Sequence, residues 1–500
     1  MNKKLLFNNK RKADNLVAEY TYTGADEVLP TFTPTDFAYT VEDVTNDDGS
    51  TTRKLRSNSN KFPRGMSFYG KTTLTDVSYY KVIANDGVTT TTVHSSMFQN
   101  CVNLISCNLS ASNFTGATSF NSVFRGCSSL ETVDITGTDT SLVKSFASLF
   151  QGCNKLTTIK GIEDLDTSSL TGINLMFTGC SVLASLDLHK WNTSKLNNLS
   201  QAFSSCPKLT TINTTGWDVS KFDDLMNVFG SCIRLTNIIG IENWNITNTL
   251  TNLEGAFSNC RAMQSFDFIQ DWDVSNVTKM GSLFRDCQSV ASLNLSNWTT
   301  AKCIDMSSMF NGCTALQTLT LGNNFNTSKV TNMSSMFRGL KKVTSIDISS
   351  FNTSACTEMQ YMFFGCTLIT SLNVASFNTS LVTNLSYMFS DCTALTSIDL
   401  SNFNTSACTN MTSMFANAPA LTSVDVTSFD TSNVTNFVSM FNINNSSLTE
   451  LDLTSFVINS SASTTNMLLR LANNNITVKV SSSFGKTEAE CNYGGTFTVV

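Results

Sequence analysis

The chain has 500 residues, of which 41% are hydrophobic and 14% are charged, and its formal net charge is -6. The hydrophobic fraction is sufficient for a folded core, whereas the charged fraction lies well below the usual quarter. A small, dispersed negative charge argues against nucleic acid or an anionic membrane as the main partner. With 5 prolines and 24 glycines, the chain is neither collagen-like nor a disordered linker.

The chain begins with a basic segment in which only Leu5, Leu6 and Phe7 are apolar. A secretory signal needs an apolar region of at least about seven residues, and a membrane span needs about 18. No apolar run in the sequence approaches the second length. The sequence therefore predicts neither an export signal nor membrane insertion.

Residues 1–70 do not repeat and form the first predicted domain. The alternating residues 20–23 predict a strand, and the polar residues 46–50 predict a turn. A repeat array needs a terminal cap over its first coil, so we expect a cap or attachment region here. Residues 74–93 predict a degenerate first coil.

Residues 71–466 form the second predicted domain, in which a unit of 26 to 28 residues recurs. A fixed period of this size is typical of a solenoid, in which each unit contacts only its neighbours. Each unit carries one marker phenylalanine, usually preceded by Met. The fourteen markers are Phe98, Phe124, Phe150, Phe177, Phe203, Phe229, Phe257, Phe284, Phe310, Phe337, Phe363, Phe389, Phe415 and Phe441.

Each unit contains two predicted elements. Val330, Met333, Met336 and Phe337 are apolar at helical spacing and predict one face of a short helix. Residues 395–400 alternate between apolar and polar side chains and predict a short strand. Together these elements predict an α/β solenoid, a leucine-rich-repeat-like array of about 14 coils with a parallel sheet.

Residues 467–500 break the pattern and form the third predicted domain. Segments 476–480 and 496–500 read as strands, and Gly494-Gly495 predicts a turn between them. We expect this region to be the closing cap of the array.

The motif M-F-x-G-C-x-x-L-x-x-L-D-L-S-x-F/W-N-T-S is followed closely from Met388 to Ser406. It resembles the leucine-rich repeats of BspA-like surface proteins and the related repeats of mycoplasma lipoproteins. The resemblance covers residues 90 to about 460. It implies a cell-surface adhesin or binding protein without enzymatic activity. The chain departs from this family in showing no export signal and no wall or lipid anchor.

Of the 16 cysteines, all but Cys491 follow the repeat. Most of them lie three residues after the marker phenylalanine, in what we call the main slot. Leu340 and Ala418 replace Cys in this slot, as expected if the slot holds a small buried hydrophobic side chain. We predict free buried thiols; a disulfide ladder between neighbouring coils is the alternative. No C-x-x-C pair exists and only two histidines occur, so no metal site is predicted. The main slot, three residues after the marker, holds Cys101, Cys127, Cys153, Cys180, Cys206, Cys232, Cys260, Cys287, Cys313, Cys366 and Cys392.

Two columns of apolar residues run through the array. The marker column predicts the structural core, represented by Phe284, Phe310, Phe337, Phe363 and Phe389 together with Cys313, Cys366 and Cys392. A second aromatic column predicts a packed spine, with a platform that stacks sugars or another partner as the alternative. Its members are Trp191, Trp217, Trp244, Trp272, Trp298, Phe325, Phe351, Phe377, Phe403, Phe429 and Phe456.

The exposed position within each strand is the predicted binding surface, represented by Asp347, Asn373, Asp399, Asp425 and Asp452. Stacked carboxylates repel one another, and interspersed Asn lowers that repulsion. The three consecutive acids are expected either to bind a cation or a basic partner, or to be solvated or hydrogen-bonded to adjacent coils. Nothing singles out a carboxylate pair for glycoside hydrolysis, and we predict no catalytic residue and no cofactor.

These features predict a non-enzymatic binding or display protein. Its face rich in Ser, Thr and Asn is the expected contact surface for a protein or glycan ligand. The missing export signal favours a bacteriophage virion component, a fibre or decoration protein, docked to other virion proteins through residues 1–70. The alternatives are a bacterial adhesin that uses an unrecognised export route, a glycan-degrading spike and an intracellular scaffold.

Overall fold

The computed structural model describes residues 16–23, 31–33, 39–57, 64–80, 95–110, 114, 116–443, 447–471 and 476–500. The basic N-terminal segment and most of the predicted degenerate first coil lie outside these residues. The chain divides into two compact units, Met1–Leu196 and Asn197–Val500. Both units are built from stacked coils with parallel strand pairing.

The first unit begins with antiparallel strands. The predicted strand at residues 20–23 forms within β1, and the predicted turn at residues 46–50 joins β3 to β4. These strands pair in the order β3-β4-β1-β6, and β6 then pairs in parallel with β7. An antiparallel sheet therefore covers the edge of the first coil. The strands are β1 Leu16–Tyr22, β2 Thr31–Thr33, β3 Tyr39–Thr45, β4 Thr51–Ser57, β5 Arg64–Ser67 and β6 Leu74–Tyr80.

The coils of the first unit contribute one short strand each. β7, β8 and β9 continue the same seven-stranded sheet, pairing Cys107 with Val133 and Val133 with Ile159. In each strand the central apolar residue is buried, as the alternation predicts. The strands are β7 Ser106–Asn108, β8 Thr132–Asp134, β9 Thr158–Lys160 and β10 Ser185–Asp187.

The second unit repeats the same coil, but its strands form several short sheets. Short 3₁₀ helices, Ile241–Asn243 and Asp267–Ile269, occupy two of the coils. The predicted solenoid of about fourteen coils with a parallel sheet is confirmed. The strands are β11 Thr211–Asn213, β12 Asn237–Ile239, β13 Ser292–Leu295, β14 Thr318–Leu321, β15 Ser371–Leu372, β16 Ser397–Ile398, β17 Glu450–Leu453, β18 Thr477–Val480 and β19 Thr498–Val499.

The short helix predicted around the Met-Phe pair is wrong, because this segment forms successive turns. Ser335 and Gly339 have φ values of 56° and 70°, which an α-helix does not contain. The N–H groups of Ser335, Phe337 and Gly339 donate to carbonyl oxygens of the next coil at 2.9 Å, 3.0 Å and 2.7 Å, respectively. The N–H of Met336 donates to the Met333 carbonyl, three residues back. Apolar spacing alone did not distinguish these turns from a helix.

The marker phenylalanines stack ring on ring inside the coils. Phe310 is fully buried, and its ring centroid lies 6.0 Å from that of Phe284 and 5.8 Å from that of Phe337, with nearly parallel planes. In the first unit, the ring of Phe68 stacks on that of Phe98 at a centroid distance of 5.7 Å, so Phe68 precedes the marker phenylalanines in this stack. The Met-Phe marker did not identify Phe68, which follows Ser67 rather than Met.

A buried threonine in each N-T-S turn links neighbouring coils. The Thr353 hydroxyl donates to the Asn378 carbonyl at 2.9 Å and accepts from the Asn378 N–H at 2.7 Å. Within its own turn, the Asn352 side chain accepts from the Ser354 N–H at 3.0 Å. Each of the three residues of the motif therefore has a structural role, which explains its repetition.

Replacing Phe310 with Ala should lower the free energy of unfolding by about 3 to 5 kcal/mol, because a buried ring and two stacking contacts are lost. Replacing it with Leu, the residue found in this slot at Leu468, should cost less. Denaturant titration measures both values, and hydrogen exchange should show the loss of protection concentrated in the adjacent coils. A loss below about 1 kcal/mol for the Ala variant would contradict the buried stack.

Candidate binding surface

The strand-end column, Asp347, Asn373, Asp399, Asp425 and Asp452, lies on the exposed edge of successive coils, where each side chain closes a tight turn. The Asp347 carboxylate accepts from the Ser349 N–H at 3.1 Å and from the Ser349 hydroxyl at 2.7 Å. Each of the other four accepts from the backbone N–H two residues later, at 2.9 to 3.2 Å. The repeated Asp and Asn are therefore explained by turn formation.

These hydrogen bonds hold several carboxylates in their charged form. The Ser349 hydroxyl and N–H keep the pKa of Asp347 below its usual range, and Ser401 and Thr454 do the same for the pKa of Asp399 and of Asp452. A general acid needs a raised pKa. The column is therefore poorly suited to acid catalysis.

The second aromatic column is buried along its whole length. Its exposed fractions lie between 0% at Phe456 and 6% at Trp217, so its rings present no platform to a ligand. The Trp298 indole N–H donates to the Ile269 carbonyl at 2.9 Å, as predicted for a packed spine. The indole N–H groups of Trp244 and Trp272 have no hydrogen-bond partner among the described residues.

Every cysteine in the sequence is free and buried, as predicted, and no disulfide ladder forms. In the main slot the thiol donates to a backbone carbonyl of the preceding coil: Cys313 to Phe284, Cys366 to Phe337 and Cys392 to Phe363, each at 3.1 Å. Burial raises the pKa of Cys313 and of Cys366 to about 12, so these thiols are protonated and unreactive. No cluster of His, Cys, Asp and Glu suited to a metal ion occurs among the described residues.

One half-buried surface cluster was missed by the sequence reasoning. Tyr361 and Tyr387 stack at 4.6 Å with planes 6° apart, beside Phe364, and the Arg338 guanidinium lies over Tyr361 and Phe364. The signal was present in the sequence, because these two tyrosines occupy a slot that holds Ser at 335 and at 413.

The fold and this surface define a class, namely a leucine-rich-repeat-like solenoid whose side chains are largely committed to stacking coils. The chain belongs to the family described as "Mycoplasma protein of unknown function, DUF285". The family model matches residues 77–160, 118–240, 153–265, 223–321, 305–424 and 369–481. The resemblance of the repeats to those of BspA-like and mycoplasma surface proteins is thereby confirmed.

Solved leucine-rich-repeat structures are similar to the chain at low identity. A leucine-rich repeat protein from Eubacterium ventriosum is 14% identical, with a TM-score of 0.35, over 86% of this chain and 94% of that chain. A leucine-rich repeat protein from T. pallidum is 16% identical, with a TM-score of 0.18, over 64% and 92%. A TLR13–ssRNA13 complex is 15% identical, with a TM-score of 0.23, over 76% and 65%. The curated proteins contain no match to the chain.

The stability of the solenoid should fall in acid. Because the folded-state pKa values of Asp347, Asp399 and Asp452 lie below the usual value near 3.9, their contribution is present above about pH 4 and is lost as the pH falls through those lowered values. Replacing all three with Asn keeps the turns, as Asn373 shows, and should shrink the loss. Urea unfolding at neutral and acid pH measures it; an unchanged loss would contradict this assignment.

The two kinds of buried tryptophan should respond differently to substitution by Phe. Trp298→Phe removes the hydrogen bond to the Ile269 carbonyl, which keeps its bond from the Trp272 N–H, so it should cost about 0.5 to 1.5 kcal/mol more than Trp244→Phe. The lost ring volume is the same in both variants, which makes them matched controls. Equal losses in denaturant titration would contradict the difference in hydrogen bonding.

Proposed function

We propose that this chain is a non-enzymatic, surface-displayed binding protein, and specifically a fibre or decoration protein of a bacteriophage virion. The observation that carries the binding role is the contrast between uniform interior columns and varied exposed positions. The marker column repeats Phe, while the position equivalent to the strand-end column in other coils holds Lys160, Ile239 and Thr320. Exposed residues that vary from coil to coil on a constant buried scaffold are suited to recognising a ligand.

A non-enzymatic role is supported by the state of the carboxylates. Asp347, Asp399 and Asp452 are held ionised by turn hydrogen bonds, and the buried thiols are protonated. Glycoside hydrolysis needs one carboxyl with a raised pKa beside one that is ionised. Because these three carboxyls lack a raised pKa, the strand-end column favours binding over a glycan-degrading spike.

Attachment through residues 1–70 is supported by the first antiparallel sheet. β3 lies at the end of the strand order, and within the described residues it pairs only with β4. Val41 and Val44 on this strand are 44% and 45% exposed. An edge strand with exposed apolar side chains can pair with a strand of a partner, here a capsid or tail protein.

A bacterial cell-surface adhesin is the second candidate. The family resemblance of the repeats to BspA-like surface proteins favours it. In the described part of the chain, none of the helices has the length and apolar character that a bilayer crossing requires.

Mass spectrometry of purified phage particles, set beside the host envelope fraction, distinguishes the two candidates. We expect the chain in particles at a fixed ratio to the major capsid protein, retained after density-gradient purification. Recovery in the envelope alone would contradict the virion role and support the adhesin.

A further inference from the structure

The half-buried cluster of Arg338, Tyr361, Phe364 and Tyr387, called the aromatic patch, differs from the rest of the solenoid surface. All four side chains are half-buried, so part of each remains accessible. The Arg338 guanidinium lies 5.0 Å from the ring centroid of Tyr361 and 4.9 Å from that of Phe364. The rings of Tyr361 and Tyr387 then continue the stack from coil to coil.

The backbone at both tyrosines is unfavourable for a bulky side chain. Tyr361 and Tyr387 each have a φ of 60°, in the left-handed region that Gly, Asn and Asp adopt most readily. The flanking coils place the smaller Ser335 and Ser413 there, with φ values of 56° and 51°. Two consecutive aromatic residues in this conformation therefore add backbone strain.

The ring stack ends at Tyr387. Tyr387 contacts the rings of Tyr361 and Phe364, and the next residue of the column is Ser413, which has no ring to cover it. The negative face of an aromatic ring attracts the polarised C–H groups of a sugar ring. Tyrosine also offers rigid contact area at low entropic cost.

Positive charge is concentrated beside this stack. Lys341 and Lys342 follow Arg338 within four residues and are exposed. Within the described residues, none of these three cations forms an ion pair with a carboxylate. The acidic groups in the same coils are Asp347, Glu358, Asp391 and Asp399. Asp347 and Asp399 accept turn hydrogen bonds from Ser349 and Ser401, and Asp391 accepts a hydrogen bond from the Asn417 amide at 3.0 Å. A guanidinium that is not paired with a carboxylate of the protein can bind an anionic group of a ligand through two parallel hydrogen bonds.

We propose that the aromatic patch binds a glycan built from carboxylated sugars, with one ring stacked on Tyr387 and a carboxylate of the same chain on Arg338. This inference rests on the proposed binding role and names its ligand class.

The test is calorimetric titration of the purified full chain with oligomers of polygalacturonate and of alginate at low ionic strength. Cello-oligosaccharides are the neutral control, and poly-L-glutamate represents an acidic protein. We expect one of the carboxylated glycans to bind and neither control to bind. Failure of both glycans, or equal binding of poly-L-glutamate, would overturn the proposal.

Variants distinguish binding at the aromatic patch from nonspecific attraction of an anionic ligand to positive charge. The double variant Tyr361→Ser, Tyr387→Ser restores the residue of neighbouring coils and relieves strain, so it should fold and bind about tenfold or more weakly. Arg338→Asn, with the residue found at Asn311, should lose a similar factor. Arg285→Asn is the control, because it removes one charge from the same slot, where the guanidinium pairs with Asp286 rather than lying over aromatic rings, and it should bind like the parent. Equal binding by all variants would overturn the proposal, whatever the chain's location in phage or host.

Discussion

The stacking of near-identical coils in register is the constraint on which the rest of this structure depends. Each side chain lies next to the equivalent side chain of the next coil, so the residues of one column must be able to pack against one another. Phe310 stacks on Phe337, and Thr353 exchanges two hydrogen bonds with the backbone of Asn378. Columns of aromatic, thiol and hydroxyl side chains meet this condition, because each can contact its own kind or the adjacent backbone.

Charged columns do not meet that condition, and the turns resolve the conflict. A column of aspartates would repel along its length, yet each carboxylate here is held within its own coil, as Asp347 is by Ser349. The same Asp and Asn residues that suggested a binding surface are therefore turn residues. In the proposed binding role, recognition is left to positions that depart from the repeat, of which Tyr361 and Tyr387 are the clearest.

The period and the buried columns could be predicted from the sequence, because burial imposes the same residue types every coil. The helix around Met336 could not be rejected, since apolar spacing does not report that Ser335 has a positive φ or that alternate N–H groups bond to the next coil. The role of Asp399 was similarly ambiguous, because Asx turns and exposed acids use the same residue. The aromatic patch was a departure from a column, which a search for repetition passes over.

Deletion of one coil tests the register constraint most directly. Removing residues 409–434, a span of 26, joins Cys408 to Thr435 and restores the repeat, so unfolding should remain cooperative with little loss of stability. Removing residues 409–421, half as many, places every following column against the wrong partner and should abolish cooperative unfolding of the second unit. If circular dichroism and denaturant titration show the half-coil deletion to be as stable as the whole-coil deletion, register stacking is not what holds this fold together.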